Sequence, residues 1–441
     1  MNSPPKSFFI TTLGCPKNVA DSKHIEESLV NKGLVLAKSP EKSDIHLINT
    51  CTFIQSATEE TIDTILNATQ IKKKRKQKLV VVGCFAERYP QAIQEDIPEV
   101  DLIFGTGKYA QAGEILEKAF PEIFDKISSP EDILLAREKL HSNRKKKSKS
   151  YGFVKISDGC NRGCHFCIIP SLRGEFRDSS EENIFQDIHT ALKEGAREIC
   201  LVSQDTVFFG KSLDKLKDLI QKITELKDVE LLRLLYLYPD KKTFQLLDVF
   251  HENPKIAPYL ESPIQHVSEK ILKSMNRSGN LSFFKDLFSK ARQREDLEIR
   301  TSIILGYPNE TSKEVDEVLE FIHTVKPEKL ALFAFSPQEG TKAYSFASDL
   351  DEKEISRRVN LVREAHLEVL KEIHQSRIGK IYPAIVDEVH ANETIVRRFQ
   401  DAPEIDEVVF VKNKNLQVGE IGQVRINSFF EYDMEGEFFT R

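Results

Sequence analysis

The sequence predicts an α/β multidomain protein: an N-terminal parallel-sheet α/β domain, a partial (βα)6 TIM-like barrel, and a C-terminal small antiparallel β barrel. Strand and helix patterns alternate over the first 110 or so residues and resume at about 150, and short β-type runs follow from about 378. A chain of 441 residues with 40% hydrophobic content is long enough to build several separate cores.

The first region alternates in the manner of a doubly wound parallel sheet. Its predicted strands are "SFFITTL", "DIHLINT", "KLVVVG" and "VDLIFG", with helices at "ADSKHIEESLVNKG" and 57–75 between them. Cys15, Cys51 and Cys84 each come directly after one of these strands. Because the carboxyl ends of parallel strands share one edge of a sheet, we expect the three cysteines to meet there as a three-thiolate site.

A polar, basic stretch at 129–149 is predicted to be a linker, and strand-helix alternation then resumes. The expected strands lie near 151–157, 197–203, 229–236, 258–264, 297–305 and 328–336, with amphipathic helices between them. Six such units indicate a partial or complete barrel, whose active site lies at the carboxyl ends of its strands.

A long charged helix, predicted at 351–375, precedes the last region. Five short β-type runs broken by Gly, Asn and Asp then predict a small barrel. Residues 376–441 contain 8 Lys and Arg against 12 Asp and Glu, so this barrel is acidic. The predicted domains are therefore 1–128, the linker 129–149, 150–375 and 376–441.

Charge and hydropathy exclude several classes of protein. A net charge of -6 argues against a protein that coats nucleic acid, and the basic stretches 72–78 and 143–149 are interpreted as a solvated helix end and an exposed linker. No apolar run is long enough for a membrane helix, and the start of the chain lacks a secretory signal. We therefore expect a cytoplasmic protein.

Three of the seven cysteines lie within eight positions, in "SDGCNRGCHFCIIP". Cys160, Cys164 and Cys167 form the pattern C-x3-C-x2-C at the end of the first predicted barrel strand. Three thiolates on one loop can ligate three irons of a four-iron four-sulfur cluster and leave the last iron open to a ligand. Zinc is the alternative, with His165 as a possible fourth ligand, although structural zinc normally takes four closed ligands.

This cysteine loop on a strand-helix barrel resembles the radical S-adenosylmethionine superfamily. The resemblance implies that S-adenosylmethionine binds the open iron and is cleaved to a 5'-deoxyadenosyl radical. An aromatic residue commonly precedes the last cysteine in that superfamily, beside the adenine, and Phe166 occupies this position. Gln204, with Asp205 at the end of the second barrel strand, is a further candidate contact for S-adenosylmethionine, although a loop-capping role is equally compatible.

The whole chain resembles the methylthiotransferases. In that family the amino-terminal cysteines hold a second four-iron four-sulfur cluster, which assigns Cys15, Cys51 and Cys84 to it, and the carboxyl-terminal barrel is TRAM-like. "TLGCPKN", "NTCTFIQSA", "CNRGCHFCIIPSLRGEFR" and "FSPQEGTKAY" are similar to the RimO-type branch, which modifies a ribosomal protein. "RDSS" and "GYPNET" depart from that branch, where Arg-Ser-Arg and Gly-Phe-Pro-Gly-Glu-Thr are usual.

The resemblance implies methylthiolation of an aspartate β-carbon in a small-subunit ribosomal protein. It also implies two four-iron four-sulfur clusters, S-adenosylmethionine, a sulfur source and an electron donor of the reduced flavodoxin or ferredoxin type. We expect a monomer that has no nucleic-acid substrate and no membrane association. The alternatives are a transfer RNA adenosine as substrate, and a non-catalytic iron-sulfur scaffold that binds the ribosome.

Five other residues are interpreted mainly as structural. Arg300 and Gln265 lie on or near strands, where a satisfied hydrogen bond is the simpler explanation than a cavity contact. His266 fits a packed or helix-capping histidine better than a catalytic one, and Cys200 fits a small buried apolar residue. Gly306 is expected in a tight turn or close to a cofactor.

Overall fold

The computed structural model describes most of the chain, namely residues 6–125, 133–140, 149–346, 348, 350–412, 415–430 and 432–440. Its contacts divide the chain into two compact units. The first comprises Met1–Lys147 with Ile168–Glu175, and the second comprises Ser148–Cys167 with Phe176–Arg441. The short segment that follows Cys167 therefore belongs to the first unit.

The first unit contains a five-stranded parallel sheet in the order β2-β1-β3-β4-β5. Its strands are β1 (Ser7–Thr12), β2 (Val35–Leu36), β3 (Ile45–Thr50), β4 (Lys78–Gly83) and β5 (Leu102–Phe104). Its helices are α1 (Pro16–Val30), α2 (Gln55–Lys74), α3 (Cys84–Arg88), α4 (Pro90–Asp96), α5 (Ala112–Ala119), α6 (Pro121–Phe124), α7 (133–140) and α8 (Ile169–Arg173). The doubly wound sheet is thus confirmed, with the short β2 as an addition.

Helix α1 begins four residues before the predicted start, at Pro16. Proline at the first helical position costs no hydrogen bond, and its fixed φ suits a helix, which explains the early start. The basic end of α2 is exposed at Lys73, Lys74 and Arg75, as predicted for a solvated helix end. The partly buried Lys72 donates to the Glu99 carbonyl and forms an ion pair with Asp101.

Part of the predicted linker is folded. Residues 133–140 form α7, and its Ala136 and Leu140 are buried in the core of the first unit. The sequence "ILLAREKL" carries an amphipathic period that the surrounding basic residues concealed. Residues 126–132 and 141–148 lie outside the described part of the chain, and with them the rest of the linker and most of the basic stretch 143–149.

The second unit contains six strands in two parallel three-stranded sheets, β10-β9-β6 and β11-β12-β13. A parallel bridge between Leu232 and Ile256 links the two sheets, as expected of a partial barrel. The strands are β6 (Tyr151–Lys155), β9 (Glu198–Val202), β10 (Leu231–Leu234), β11 (Tyr259–Glu261), β12 (Glu298–Leu305) and β13 (Lys329–Ala334), with a small pair β7 (Ser157–Asp158) and β8 (Arg177–Asp178). The helices are α9 (Glu181–Lys193), α10 (Leu213–Thr224), α11 (Lys241–Glu252), α12 (Glu269–Ser274), α13 (Leu281–Ala291), α14 (Ser312–Val325) and α15 (Glu352–Arg377).

The end of the chain forms a closed five-stranded barrel in the order β14-β15-β16-β18-β17. Its strands are β14 (Ile381–Val389), β15 (Thr394–Arg398), β16 (Val409–Val411), β17 (Ile421–Phe430) and β18 (Asp433–Thr440). The strands pair antiparallel as predicted, except that β16 and β18 run parallel. The hairpin β17–β18 folds back so that β18 closes the barrel beside β16 in the same direction.

Buried ion pairs join this small barrel to the first residues of two core strands. Glu198, at the start of β9, lies 2.6 Å from Arg233 and 2.6 Å from Arg397. Glu298, at the start of β12, lies 2.9 Å from Arg398 and 2.7 Å from Arg377. Removing one partner of such a buried pair costs about 3–5 kcal/mol, so the pairs made by Arg397 and Arg398 of β15 hold the barrel on the core. Arg233 of β10 and Arg377 of α15 are further partners of the same two carboxylates.

Among the described helices, none combines the length and apolar character needed to cross a membrane.

Candidate iron-sulfur sites

The first unit places Cys15, Cys51 and Cys84 at the carboxyl ends of three neighbouring strands. Cys15 is the N-cap of α1 after β1, Cys51 follows β3, and Cys84 begins α3 after β4. We call these three residues the auxiliary set. Cys15 and Cys51 lie close together, since a Cβ added to Gly14, next to Cys15, would be 2.8 Å from the Cys51 Sγ. Cys84 is near enough to both for their negative charges to raise its pKa.

Burial disfavours ionisation of two thiols of the auxiliary set, Cys51 and Cys84. It raises the pKa of Cys84 to about 11 and also raises the pKa of Cys51, while Arg173 opposes both shifts. A metal ligand must be a thiolate, so a neighbouring cation assists ligation. Three free thiols at one sheet edge beside a guanidinium fit a four-iron four-sulfur cluster with three cysteine ligands.

The second unit places Cys160, Cys164 and Cys167 on the loop that follows β7. We call these residues the radical set. Their backbone is folded tightly, since the Cys167 amide donates to the Cys164 carbonyl at 3.1 Å. The Arg162 amide lies 3.5 Å from the Cys160 Sγ, and Arg277 Nη1 lies 3.5 Å from the Cys164 Sγ. These cysteines are not in disulfides and are partly exposed, which fits a cluster that must admit a ligand to its open iron.

His165, the possible fourth zinc ligand, has contacts outside the radical set. In a four-iron four-sulfur cluster each thiolate binds its own iron, so three cysteines suffice without a fourth protein ligand. His165 Nδ1 hydrogen-bonds the Ser274 carbonyl at 2.8 Å, and the ring packs edge-on against Phe346, so this histidine has a structural partner.

Two arginines, Arg162 and Arg277, lie beside the thiols of the radical set. The Arg162 guanidinium contacts Asp205 at 2.5 Å and Asp240 at 3.0 Å and stacks on Tyr238. Arg277 also stacks on Tyr238, with its carbon 4.3 Å from the ring centroid. Burial raises the pKa of Asp205, and the pairing with Arg162 opposes that shift.

Sequence reasoning missed these two arginines, although both stand in the motifs that indicated the family. Arg162 lies between the first two cysteines of the radical set, and Arg277 lies in "SMNR". The position of Arg162 inside the cysteine loop could have indicated a cation that interacts with the thiolates. Nothing in the sequence placed Arg277, 113 positions from Cys164, beside that sulfur.

The two predicted S-adenosylmethionine contacts lie in the same unit as the radical set. Phe166 packs on an apolar cluster that contains Met275 and Tyr307. Gln204 donates to Asp158 at 3.1 Å, and its side-chain oxygen is buried with no hydrogen-bond partner among the described residues. That free acceptor fits a donor group on a ligand.

Arg300 has a structural explanation, whereas the contacts of Gln265 are made by its backbone and leave the role of its side chain a prediction. Arg300 forms an ion pair with Asp406 of the small barrel, and Gln265 has a positive φ of 71° and bridges to Ile303 on β12.

His266 is fully buried and accepts a hydrogen bond from the amide of Ser268, which precedes α12, at 2.9 Å. This geometry matches the expected packed, helix-capping histidine. Cys200 is also fully buried, as expected. Gly306 has a φ of +79°, and a Cβ there would meet Ile355, so both a turn and close packing require glycine.

Comparisons with known families cover most of the chain. Residues 7–105 match the model described as "Uncharacterized protein family UPF0004", 154–322 match the radical SAM superfamily, and 378–439 match the TRAM domain. The chain also resembles the structure of TsrM, a radical S-adenosylmethionine methyltransferase from Kitasatospora setae, with a TM-score of 0.51 and 12% identity over 74% of this chain and 73% of that one. Together with the radical set, these matches define a radical S-adenosylmethionine enzyme, which carries a four-iron four-sulfur cluster.

Two relatives narrow the class. The protein named ribosomal protein uS12 methylthiotransferase RimO of Leptospira biflexa is 61% identical over 99% of this chain and 97% of its own length. The protein of the same name from Desulfitobacterium hafniense is 36% identical over 98% of both chains. The chain therefore belongs to the RimO-type methylthiotransferase family. An enzyme of this family is not a non-catalytic scaffold, so that alternative is excluded.

Proposed function

We propose that this protein methylthiolates the β-carbon of an aspartate in ribosomal protein uS12, using two four-iron four-sulfur clusters and S-adenosylmethionine. The observation that carries the proposal is the presence of two separate three-cysteine sets, one in each unit, in a chain whose relatives bear the name uS12 methylthiotransferase. One cluster suffices to cleave S-adenosylmethionine, so a second set of thiolates calls for a second task, which is sulfur insertion.

The radical set holds the first cluster, and Phe166 and Gln204 contact S-adenosylmethionine beside it. When bound, the cluster and S-adenosylmethionine supply a radical able to remove hydrogen from an unactivated carbon. The chain contributes orientation and exclusion of water. Arg277 holds one thiolate by a charge-assisted contact, and the Arg162 pairs with Asp205 and Asp240 keep the neighbouring loops in place.

The acidic small barrel supports a basic protein rather than transfer RNA as the substrate. Two of its arginines, Arg397 and Arg398, are buried in ion pairs and are unavailable to phosphates. The exposed charges on the described part of the barrel are Lys380, Lys412 and Arg425 against Glu388, Glu393, Glu404, Glu435 and Glu437. Nucleic-acid binding requires a surplus of cations, whereas this surface complements a basic ribosomal protein.

Further parts of the proposal follow from the same chemistry. We infer that a reduced flavodoxin or ferredoxin supplies the electron and that a separate sulfur source supplies the inserted sulfur. We also infer that the enzyme works as a monomer in the cytoplasm, where its substrate is made.

The deciding experiment incubates anaerobically reconstituted enzyme with S-adenosylmethionine, a reductant and either uS12 or transfer RNA. Mass spectrometry should find the mass gain of a methylthio group on uS12, located by fragmentation to one aspartate. A gain on adenosine with none on uS12 would overturn the proposal. A charge-reversal variant, Glu435→Lys with Glu437→Lys, should raise the KM for uS12, while Lys380→Glu as the matched control should not.

A further inference from the structure

Arg173, the last residue of α8, is a buried cation in the first unit. It is 3% exposed, and its partner Asp21 on α1 is fully buried. Arg173 Nη1 lies 2.9 Å from an Asp21 carboxylate oxygen, and Nη2 lies 2.7 Å from the Asn18 side-chain oxygen. Burying a guanidinium this completely has a high desolvation free energy, which nearby negative groups must offset.

The surroundings of Arg173 are the thiols of the auxiliary set. Ile168 and Leu172, from the same segment, pack on Cys84, and Arg173 donates a hydrogen bond to the Cys84 sulfur. Its other partner, Asn18, borders the same loop: a Cβ on Gly14 would lie 3.3 Å from the Asn18 amide nitrogen and 2.8 Å from the Cys51 Sγ. The guanidinium is thus placed between a carboxylate and the thiols.

We propose that Arg173 and Asp21 together set the reduction potential of the auxiliary cluster, Arg173 raising it and Asp21 lowering it. This inference rests on the proposed function, in that the auxiliary set must hold a cluster. Three thiolates give a bound cluster a net negative charge, which grows when an electron is added. A buried cation that hydrogen-bonds a ligand sulfur favours the reduced form, and a buried carboxylate disfavours it.

The fork geometry of arginine explains why this residue fills the position. One guanidinium reaches Asp21, Asn18 and Cys84 at once, whereas a lysine ammonium on a flexible stem is a point charge. Asp21 and Asn18 therefore act as positioning residues that aim the guanidinium at the sulfur. The positive charge of Arg173 and the negative charge of Asp21 largely cancel at the cluster. Removing either charge therefore changes the electrostatic potential there.

The test uses the full chain with Cys160, Cys164 and Cys167 all changed to Ala, so that the auxiliary cluster alone is observed. Arg173→Met, Asp21→Asn, Arg173→Met with Asp21→Asn, and Arg173→Lys are made in this background. The midpoint potential of each is measured by redox titration followed by electron paramagnetic resonance. We expect Asp21→Asn to shift the midpoint potential upward and Arg173→Met to shift it downward. The potential of the double variant should lie between those two values. The potential of Arg173→Lys should be nearer to that of the parent than the potential of Arg173→Met is.

Electrostatic control predicts that the midpoint potentials of the two single variants shift in opposite directions. A general loss of structure would shift both potentials in the same direction. Arg358→Met removes a different buried guanidinium, the one paired with Glu310 at 2.8 Å, and should leave the potential unchanged. Shifts of the same sign, or no shift with the cluster bound, would overturn the inference. If Arg173→Met binds no iron, two other results test the inference. The potential of Asp21→Asn should lie above that of the parent, and the potential of the double variant should lie below that of Asp21→Asn. A parent background that itself binds no iron would instead contradict the second cluster of the proposed function.

Discussion

The auxiliary set and the radical set present three thiols each, but they are assembled at different levels of structure. In the first unit each cysteine follows a different strand, so the site exists only when β1, β3 and β4 are paired in register. In the second unit all three cysteines lie within eight positions of one loop. Ligands on one loop stay near one another even when tertiary contacts around the loop are lost, because they are close in sequence. A site built from three strand ends depends on the pairing of the whole sheet.

The strongest test of this comparison removes one ligand from each set. We expect both Cys160→Ala and Cys15→Ala to abolish methylthiolation and to lower reconstituted iron from about eight atoms to about half. Only Cys160→Ala should also abolish 5'-deoxyadenosine formation, because that step needs the radical set alone. Iron analysis and chromatography of the nucleoside products provide the measurements. A fall to nearly no iron in both variants would mean one shared cluster.

A pair of glycines tests how each set tolerates a change in its backbone. Gly14 and Gly163 have φ values of +88° and +66°, so alanine strains each by about 1–2 kcal/mol. A Cβ at Gly14 would lie 2.6 Å from the Cys51 Cβ, whereas at Gly163 the nearest atom is 3.5 Å away, on Asn276.

We therefore expect Gly14→Ala to lose about half of the bound iron and Gly163→Ala to retain all of it with a lower Tm. Iron content and thermal unfolding of the two variants, side by side, give the answer. Retention of all iron in Gly14→Ala would show that the auxiliary set is less tightly constrained than the sheet geometry implies.

A smaller effect is expected at Arg277, which lies 3.5 Å from the Cys164 Sγ. Arg277→Met removes a cation beside a ligand sulfur, so the potential of the radical cluster should become more negative, and Arg277→Lys should restore part of the shift. The potential is measured with Cys15→Ala present, so that the auxiliary cluster does not contribute. An unchanged potential in Arg277→Met would assign this residue to packing on Tyr238 alone.

The smallest effect is expected at Cys200, the cysteine outside both sets. Its side chain is fully buried in β9, so Cys200→Ala should cost about 1 kcal/mol of stability through the small void it leaves. Iron content and 5'-deoxyadenosine formation should equal those of the parent protein. A loss of iron in this variant would bring a seventh thiol into the chemistry and would break the division into two sets.

Both cysteine sets were predictable from the sequence, for different physical reasons. The alternation of strand and helix identified the strand ends that carry Cys15, Cys51 and Cys84, and spacing alone identified Cys160, Cys164 and Cys167. What the sequence did not reveal are the charges around them. Arg173 meets Asp21 across 152 positions, and such a contact depends on tertiary packing that no local period encodes.

The folded part of the predicted linker was missed for a related reason. The basic residues near α7 dominated the composition, while the buried Ala136 and Leu140 follow a period visible only over two helical turns. The parallel pairing of β16 with β18 likewise depends on how the barrel closes rather than on the residues of either strand.

The buried ion pairs at Glu198 and Glu298 limit how this chain can be recombined. Deleting the small barrel would remove Arg397 and Arg398. Glu198 would then keep Arg233 as its ion-pair partner, and Glu298 would keep Arg377 and Lys329. A chimera that carries another relative's barrel should be more stable if it brings arginines to the same two places. Exchange of substrate specificity by domain grafting should therefore succeed best when the partners at the beginnings of β9 and β12 are exchanged together with the barrel.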